Sequence, residues 1–203
     1  MKLIVEDLAV ARGEMLVLDG VSFTLSPGEA LIVTGENGAG KSTLLAALAG
    51  LLPAERGRIV AEGLPAAFDG HDVARLCHLL GGGNAMKDAM SVAENLAFWR
   101  GLDGEPHLEV DEALDMVGLG HLEDVPFAHL STGQRRRIGV ARLLVSFRPI
   151  WLLDEPTSGL DAGSAAQFAE LMRAHLAEDG LIVAATHVPL GLNGARTLEL
   201  AAR

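Results

Sequence analysis

The sequence contains no tyrosine, only one cysteine and little positive charge, and each shortage removes a class of protein. A single cysteine cannot build a disulfide framework, so the stapled secreted scaffolds are excluded and a reducing compartment fits. Cys77 itself, within Leu76-Cys77-His78-Leu79-Leu80, reads as a small buried hydrophobe. Lys and Arg number 16 against 27 Asp and Glu, a net charge of −11. Such a chain gains no general attraction to nucleic acid or to an anionic membrane, and no direct nucleic-acid partner is expected. No apolar run approaches about 18 residues, so nothing reads as a bilayer span, and no basic-plus-apolar N-terminal stretch reads as an export signal. What the chain has in quantity is hydrophobic residues, 49% of 203, enough for one domain with a buried sheet.

The densest signal is Gly35-Glu36-Asn37-Gly38-Ala39-Gly40-Lys41-Ser42-Thr43. It follows the short apolar strand Ala30-Leu31-Ile32-Val33 and precedes a helix-forming run, Leu44 to Leu52, closed by Pro53. This is GxxxxGK[ST] in the strand–loop–helix context that gives it meaning. Glycines let successive N–H groups turn inward around an anion, and the following helix aims its positive end at the same point. Lys41 would reach the β- and γ-phosphates, Ser42 would take a Mg²⁺ position, and Thr43 would lie near the α- and β-phosphates.

Around this loop the chain reads as α/β. Leu3–Val5, Met15–Leu18, the alternating Val21, Phe23 and Leu25, and Gly57–Ala61 suggest an N-terminal β-sheet. Leu76–Leu80, Ile150–Leu153 and Leu181–Thr186 are short buried strands, and a helix is expected over about 162–178. Strands alternating with helices argue a mostly parallel sheet with helices on both faces. A largely helical block, about 84–148, is inserted between strands, with helices from Ser91 to about Arg100 and from Leu108 to Val117. Gly81-Gly82-Gly83 at its entry reads as a hinge. Ligands of such sheets bind at the carboxyl ends of strands, where Gly35, Asp154 and His187 fall. Asp154 is placed to orient Mg²⁺, and Glu155 to polarise or orient the water attacking the γ-phosphate.

Leu130-Ser131-Thr132-Gly133-Gln134 resembles the signature motif of ABC ATPases, usually Leu-Ser-Gly-Gly-Gln, with Thr132 in place of the first glycine. The resemblance runs across essentially the whole chain. It implies a phosphate-loop NTPase of ABC ATPase type, a single domain over 1–203 that hydrolyses ATP with Mg²⁺. Two copies would close head to tail, so that Ser131, Thr132, Gly133 and Gln134 of one copy face the nucleotide held by Gly35–Thr43 of the other. It further implies that Asp161, in Pro156-Thr157-Ser158-Gly159-Leu160-Asp161, reaches across that dimer, and that His187 senses the γ-phosphate. Arg135, Arg136 and Arg137 stand at a helix N-terminus, where cations are unfavourable; a nearby anion or pairing with acidic neighbours would each account for them.

Two positions depart from the family. Its glutamine at the entry to the helical lobe is replaced by Gly83; the chain's glutamines are Gln134 and Gln167 alone, and only Asn84 could help. Arg12 stands where an aromatic residue normally stacks on adenine, a task a guanidinium plane can share. Asn84-Ala85-Met86-Lys87, Ser91-Val92-Ala93-Glu94-Asn95-Leu96-Ala97-Phe98-Trp99, the signature helix from Gln134 to Leu144, and His187-Val188-Pro189-Leu190-Gly191-Leu192 resemble one subfamily, the ATP-binding subunit of the haem exporter of cytochrome c maturation. That likeness implies a peripheral protein on the cytoplasmic face of a bacterial inner membrane, working with integral membrane subunits. Phe98 and Trp99 are then docking anchors or ordinary core. A soluble ABC ATPase for assembly functions and an ATP-binding switch of low turnover are the alternatives.

Overall fold

The computed structural model describes residues 1–64, 72–83, 85–102 and 105–201. β1 (Lys2–Arg12) and β2 (Met15–Leu25) form an antiparallel hairpin around Gly13 and Glu14. β3 (Ala30–Thr34) follows and delivers the chain to the glycine-rich loop. α1 (Lys41–Leu48) starts at the lysine itself, three residues before the expected apolar run. It also stops earlier than expected, because Gly50 adopts a left-handed backbone and the N–H groups of Gly50 and Leu51 turn back to the Ala47 and Ala46 carbonyls. β4 (Arg56–Glu62) then pairs with the free edge of β1 and completes the N-terminal sheet in the order β2-β1-β4.

The next strand, β5 (Cys77–Leu80), leads into the helical stretch. This comprises α2 (Val92–Leu102), the two-residue strand β6 (Glu105–Pro106), α3 (Val110–Met116), α4 (Thr132–Val145) and β7 (Ser146–Phe147), which pairs with β6. The start of α2 is read correctly from sequence: Ser91 and Glu94 exchange backbone-to-side-chain bonds of 3.1 and 2.8 Å. β8 (Ile150–Asp154), α5 (Ala162–Ala177), β9 (Leu181–Ala185) and β10 (Arg196–Glu199) close the chain's fold. β10 was not expected. Its residues Arg196-Thr197-Leu198-Glu199 are mostly exposed, and only its pairing with β3 makes it a strand.

The central sheet runs β10-β3-β9-β8-β5, and every pairing is parallel. Alternate residues serve opposite faces. Leu31, Val33, Ile150, Leu152, Leu181 and Val183 join a core shared with α1 and the N-terminal sheet. Trp151, Leu153, Ile182 and Ala184 join the core shared with α4 and α5. Strands buried on both sides must be apolar throughout, which is why they read as continuous runs rather than alternating ones.

β5 is an edge strand, and arginines from α4 and the residues after it cover its open carbonyls. Arg148 donates to Cys77 O at 2.8 Å, Arg142 to Leu79 O, and Arg136 to Gly81 O at 2.8 Å. Three alternate acceptors meet three arginines spaced six residues apart, and this edge is therefore closed to further pairing.

Candidate nucleotide site

Register brings the site together. Val33 of β3, Ala185 of β9 and Asp154 of β8 lie opposite one another across three adjacent strands. The residues just beyond this row, Thr34-Gly35, Thr186 and Glu155, must therefore converge at the carboxyl edge of the sheet.

The loop after β3 is shaped by three glycines with positive φ, Gly35, Gly38 and Gly40, of which the first and last are closely packed. Gly40 has φ 99°, and a β-carbon there would stand 2.7 Å from Leu18 Cδ2; Gly35 has φ 139° and packs on the backbone of Leu200. Lys41 Nζ donates to Gly35 O at 2.7 Å and Glu36 O at 3.0 Å, so it braces the loop from within while keeping one N–H for a phosphate oxygen. Gly40 precedes α1 and no side chain caps the helix, which leaves its first N–H groups for an anion. Thr43 is buried and Ser42 is exposed. Arg12, Val17, Asn37, Gly38, Gly40, Lys41, Ser42, Thr43, Asp154 and Glu155 line one depression of about 370 Å³. Arg12 is thus one of the residues that line this depression together with the glycine-rich loop. Glu36 is exposed on the loop, and Ala39 is buried beneath it.

A second cleft of about 760 Å³ adjoins the first and shares Ser42, Asp154 and Glu155 with it. Its lining also includes Gly82, Gly83, Met86, Thr132 and Arg136. Ser42 and Asp154 offer one hydroxyl and one carboxylate, hard oxygen donors suited to Mg²⁺. Among the described residues no cluster of three or more His, Cys, Asp or Glu could hold a metal alone.

Glu155 is held in an unusual backbone conformation, φ 44°. Such strain costs on the order of 1–3 kcal/mol and persists only when neighbours enforce it. Its N–H donates to Ala185 O at 2.9 Å, its carbonyl accepts from Ser158 N at 3.1 Å, and Oε2 accepts from Thr186 Oγ1 at 3.2 Å. Thr186 is 2% exposed and also accepts from Val188 N at 3.1 Å. Sequence reasoning passed over Thr186 because one hydroxyl at the end of an apolar strand carries no motif.

The signature segment opens α4 as expected, but its side chains serve the helix itself. Ser131 Oγ accepts from Gln134 N at 3.3 Å, and Gln134 Oε1 accepts from Ser131 N at 2.8 Å, a reciprocal cap. Thr132 and Gly133 lie against Gly159. Asp161 caps α5, accepting from Ser164 N at 2.8 Å and Ser164 Oγ at 3.2 Å; these bonds hold its carboxyl below the usual range. His187 is exposed just past β9 and is not among the residues lining either cleft. Asn84 lies outside the described residues.

Of the three arginines after Gln134, Arg135 pairs with an acidic neighbour, Asp88, as one of the two expectations had it, but most of their partners are of a kind neither expectation named. They bind mainly carbonyl oxygens: Arg135 those of Ala128 and Leu130, Arg137 that of Val117, and Arg136 those of Gly81, Asp154, Glu155 and Pro156. Arg135 in addition lies 3.9 Å from Asp88. Backbone acceptors are invisible to a reading that looks for opposite charges. Gly81, Gly82 and Gly83 lack the left-handed backbone, and a β-carbon at any of them would meet nothing within 4 Å, so sterics do not demand a hinge there.

Residues 18–158 match the family model described as ABC transporter. A Chelativorans protein named cytochrome c biogenesis ATP-binding export protein CcmA is 56% identical over 202 residues, covering 100% of this chain and 99% of that protein. The protein of the same name from Brucella abortus is 50% identical over 212 residues, covering 100% and 97%. Among solved structures, an ATP-binding subunit of an ABC transporter superposes with a TM-score of 0.84 at 24% identity, covering 100% of this chain and 88% of that one. The last likeness establishes the fold, an α/β domain with a parallel sheet and an antiparallel N-terminal sheet.

Proposed function

This chain belongs to the ABC transporter family, as an ATP-binding, ATP-hydrolysing subunit, and we propose that it serves the haem-export or haem-release complex of cytochrome c biogenesis. The observation that carries this reading is the 56% identity over full length to the export protein of that process. Neither a soluble assembly ATPase nor a low-turnover switch is favoured by that similarity.

In the proposed cycle, the loop Gly35–Thr43 wraps the phosphates, Lys41 neutralises the β- and γ-oxygens, and Arg12 borders the base. Mg²⁺ held through Ser42 and Asp154 would offset phosphate charge. Glu155 accepts the proton of the attacking water, or orients it, from a carboxylate already fixed by Thr186. A second copy brings Ser131–Gln134 to the γ-phosphate with the dipole of α4 behind them, and His187 of the first copy senses that phosphate. Asp161 stands at the junction between copies. Closure of the pair on ATP, and opening after hydrolysis, is a population shift that does work on separate membrane subunits.

The docking face in this reading includes Phe98 and Leu102, 41% and 52% exposed on one side of α2. Trp99 does not belong to it: its Nε1 donates to Ala85 O at 3.0 Å and Arg142 lies 4.7 Å over its ring. No described helix is long and apolar enough to cross a membrane, so attachment to the cytoplasmic face of the inner membrane would come through partners. Affinity purification of the tagged chain from solubilised membranes tests the assignment. Integral membrane subunits of cytochrome c biogenesis should co-purify, and Phe98→Asp should release them without loss of ATP binding. Recovery of the chain alone, or with subunits of an unrelated transporter, contradicts the assignment.

A further inference from the structure

Arg136 is the one arginine of the edge-strand series that reaches two strand ends. Arg142 and Arg148 touch only β5 among the carbonyls given above, whereas Arg136 spans from Gly81, past the end of β5, to the segment past the end of β8. Its Nη1 donates to Gly81 O at 2.8 Å, its Nη2 to Asp154 O at 2.9 Å and Glu155 O at 2.5 Å, and its Nε to Pro156 O at 3.2 Å. The side chain is only 7% exposed. Burial lowers its pKa, while the nearby charges of Asp154 and Glu155 raise it in opposition. Taking a guanidinium out of water is costly, and it persists here because four carbonyl dipoles and two neighbouring carboxylates compensate.

The geometry points to Arg136 as a positioning residue for hydrolysis, which fixes the backbone of Glu155 and joins it rigidly to Gly81 and to α4. The turn at Glu155, φ 44°, is what brings the carbonyls of three consecutive residues, Asp154, Glu155 and Pro156, onto one side chain. A planar fork with five donors can satisfy all of them together, whereas an ammonium on a flexible stem cannot. Arg136 sits two residues after Gln134, within the first turns of α4. Any displacement of α4 or of the glycine segment therefore acts on the aim of the Glu155 carboxylate. The loop that holds phosphate has no such tie: Lys41 bonds only within its own loop among the contacts above. Arg136 should thus govern turnover and not nucleotide affinity.

This inference rests on the proposed role of Glu155 in hydrolysis, and the experiment separates the two. In the full-length chain, kcat and KM for ATP hydrolysis, binding of a fluorescent ATP analogue, and melting temperature are measured for Arg136→Gln, Arg136→Lys, Arg142→Gln and Glu155→Gln. Both Arg136 variants should lose turnover about ten- to hundredfold, the scale of a misplaced catalytic group, with KM and analogue affinity within about twofold. Lys should not rescue Gln. Arg142→Gln, which breaks a comparable edge contact remote from Glu155, should lower the melting temperature without this split. The inference is overturned if a folded Arg136→Lys turns over like the parent, if Arg142→Gln shows the same loss of kcat, or if neither Arg136 variant folds, which makes the role purely structural. Undiminished turnover in Glu155→Gln instead removes the underlying reading of Glu155, whatever Arg136 does.

Discussion

The hydroxyl of Thr186 donates to Oε2 of Glu155 across 3.2 Å, tying the residue before His187 to the carboxylate at the end of the neighbouring strand. The same oxygen accepts from Val188 N at 3.1 Å, so the segment carrying His187 and the aim of Glu155 are set by one buried group. Thr186→Val keeps the shape and removes the hydroxyl. It removes the hydrogen bonds to Glu155 Oε2 and from the part-buried Val188 N–H, each worth about 0.5–1.5 kcal/mol. Chemical denaturation should report that loss, and steady-state turnover should fall about tenfold as the carboxylate is released. Thr186→Ser retains the donor and acceptor and should restore most of both.

Glu155→Gln removes the proton acceptor but keeps the side-chain volume and the backbone bonds to Ala185, Ser158 and Arg136. Turnover should fall by about 10²–10⁴-fold, the range for a lost general base, while ATP still binds. With hydrolysis blocked, the ATP-closed pair should accumulate. Light scattering with and without ATP checks this: a dimer should appear only with ATP, and a monomer under both conditions contradicts the head-to-tail arrangement.

The nucleotide loop was legible because its demands are local: a strand, positive-φ glycines, a lysine and a hydroxyl in fixed order, which the residues themselves declare. Asp154 and Glu155 were legible for the same reason, as acids at the end of an apolar run. Thr186 and Arg136 were not, because their partners are a carboxylate one strand away and four backbone carbonyls from two segments. Such relationships exist only once β8, β9 and α4 are in register. β10 escaped for a parallel reason: Arg196–Glu199 has weak strand character, and the unpaired edge of β3 supplies the bonds that make it one. The triglycine segment is a different case: glycine permits unusual backbone without requiring it, and none of Gly81, Gly82 and Gly83 uses that freedom in this structure.

That last point makes Gly83 a site for gain rather than loss. Gly83 lines the same cleft as Ser42, Asp154 and Glu155, and a β-carbon there meets nothing within 4 Å. Gly83→Gln adds a hydrogen-bonding side chain to the lining of the cleft that also carries the Glu155 carboxylate. The substitution also restricts the unfolded chain, which stabilises by about 0.4–1 kcal/mol where the backbone is compatible. The melting temperature should stay level or rise slightly. Turnover should rise severalfold, about the scale of one added orienting hydrogen bond, with the affinity for ATP unchanged. Equal or lower turnover in a folded variant shows that orientation of water from this position does not limit the reaction.

Two buried histidines contribute to the response to acid. Burial drives His78 down to about 3, with the charges of Arg142 and Arg148 acting in the same direction and the Ser146 carbonyl, 2.8 Å from Nε2, opposing them. His175 is pushed down to about 4, again mainly by burial, and its ring stacks on Trp151 with centroids 4.1 Å apart. Both are neutral in the folded chain near pH 6, while their unfolded counterparts titrate near about 6.5. Between about pH 6.5 and 4 the unfolded state therefore binds more protons than the folded one, and stability must rise with pH across that window. Each histidine contributes up to about 1.4 kcal/mol per pH unit at the steep end. Above pH 7 the contribution is flat, because both states are neutral. Denaturation at fixed ionic strength should thus show a steep loss of stability below pH 6. His78→Gln should reduce the slope by about one proton while keeping a side-chain donor for Ser146 O, and an unchanged slope would place the titrating group elsewhere.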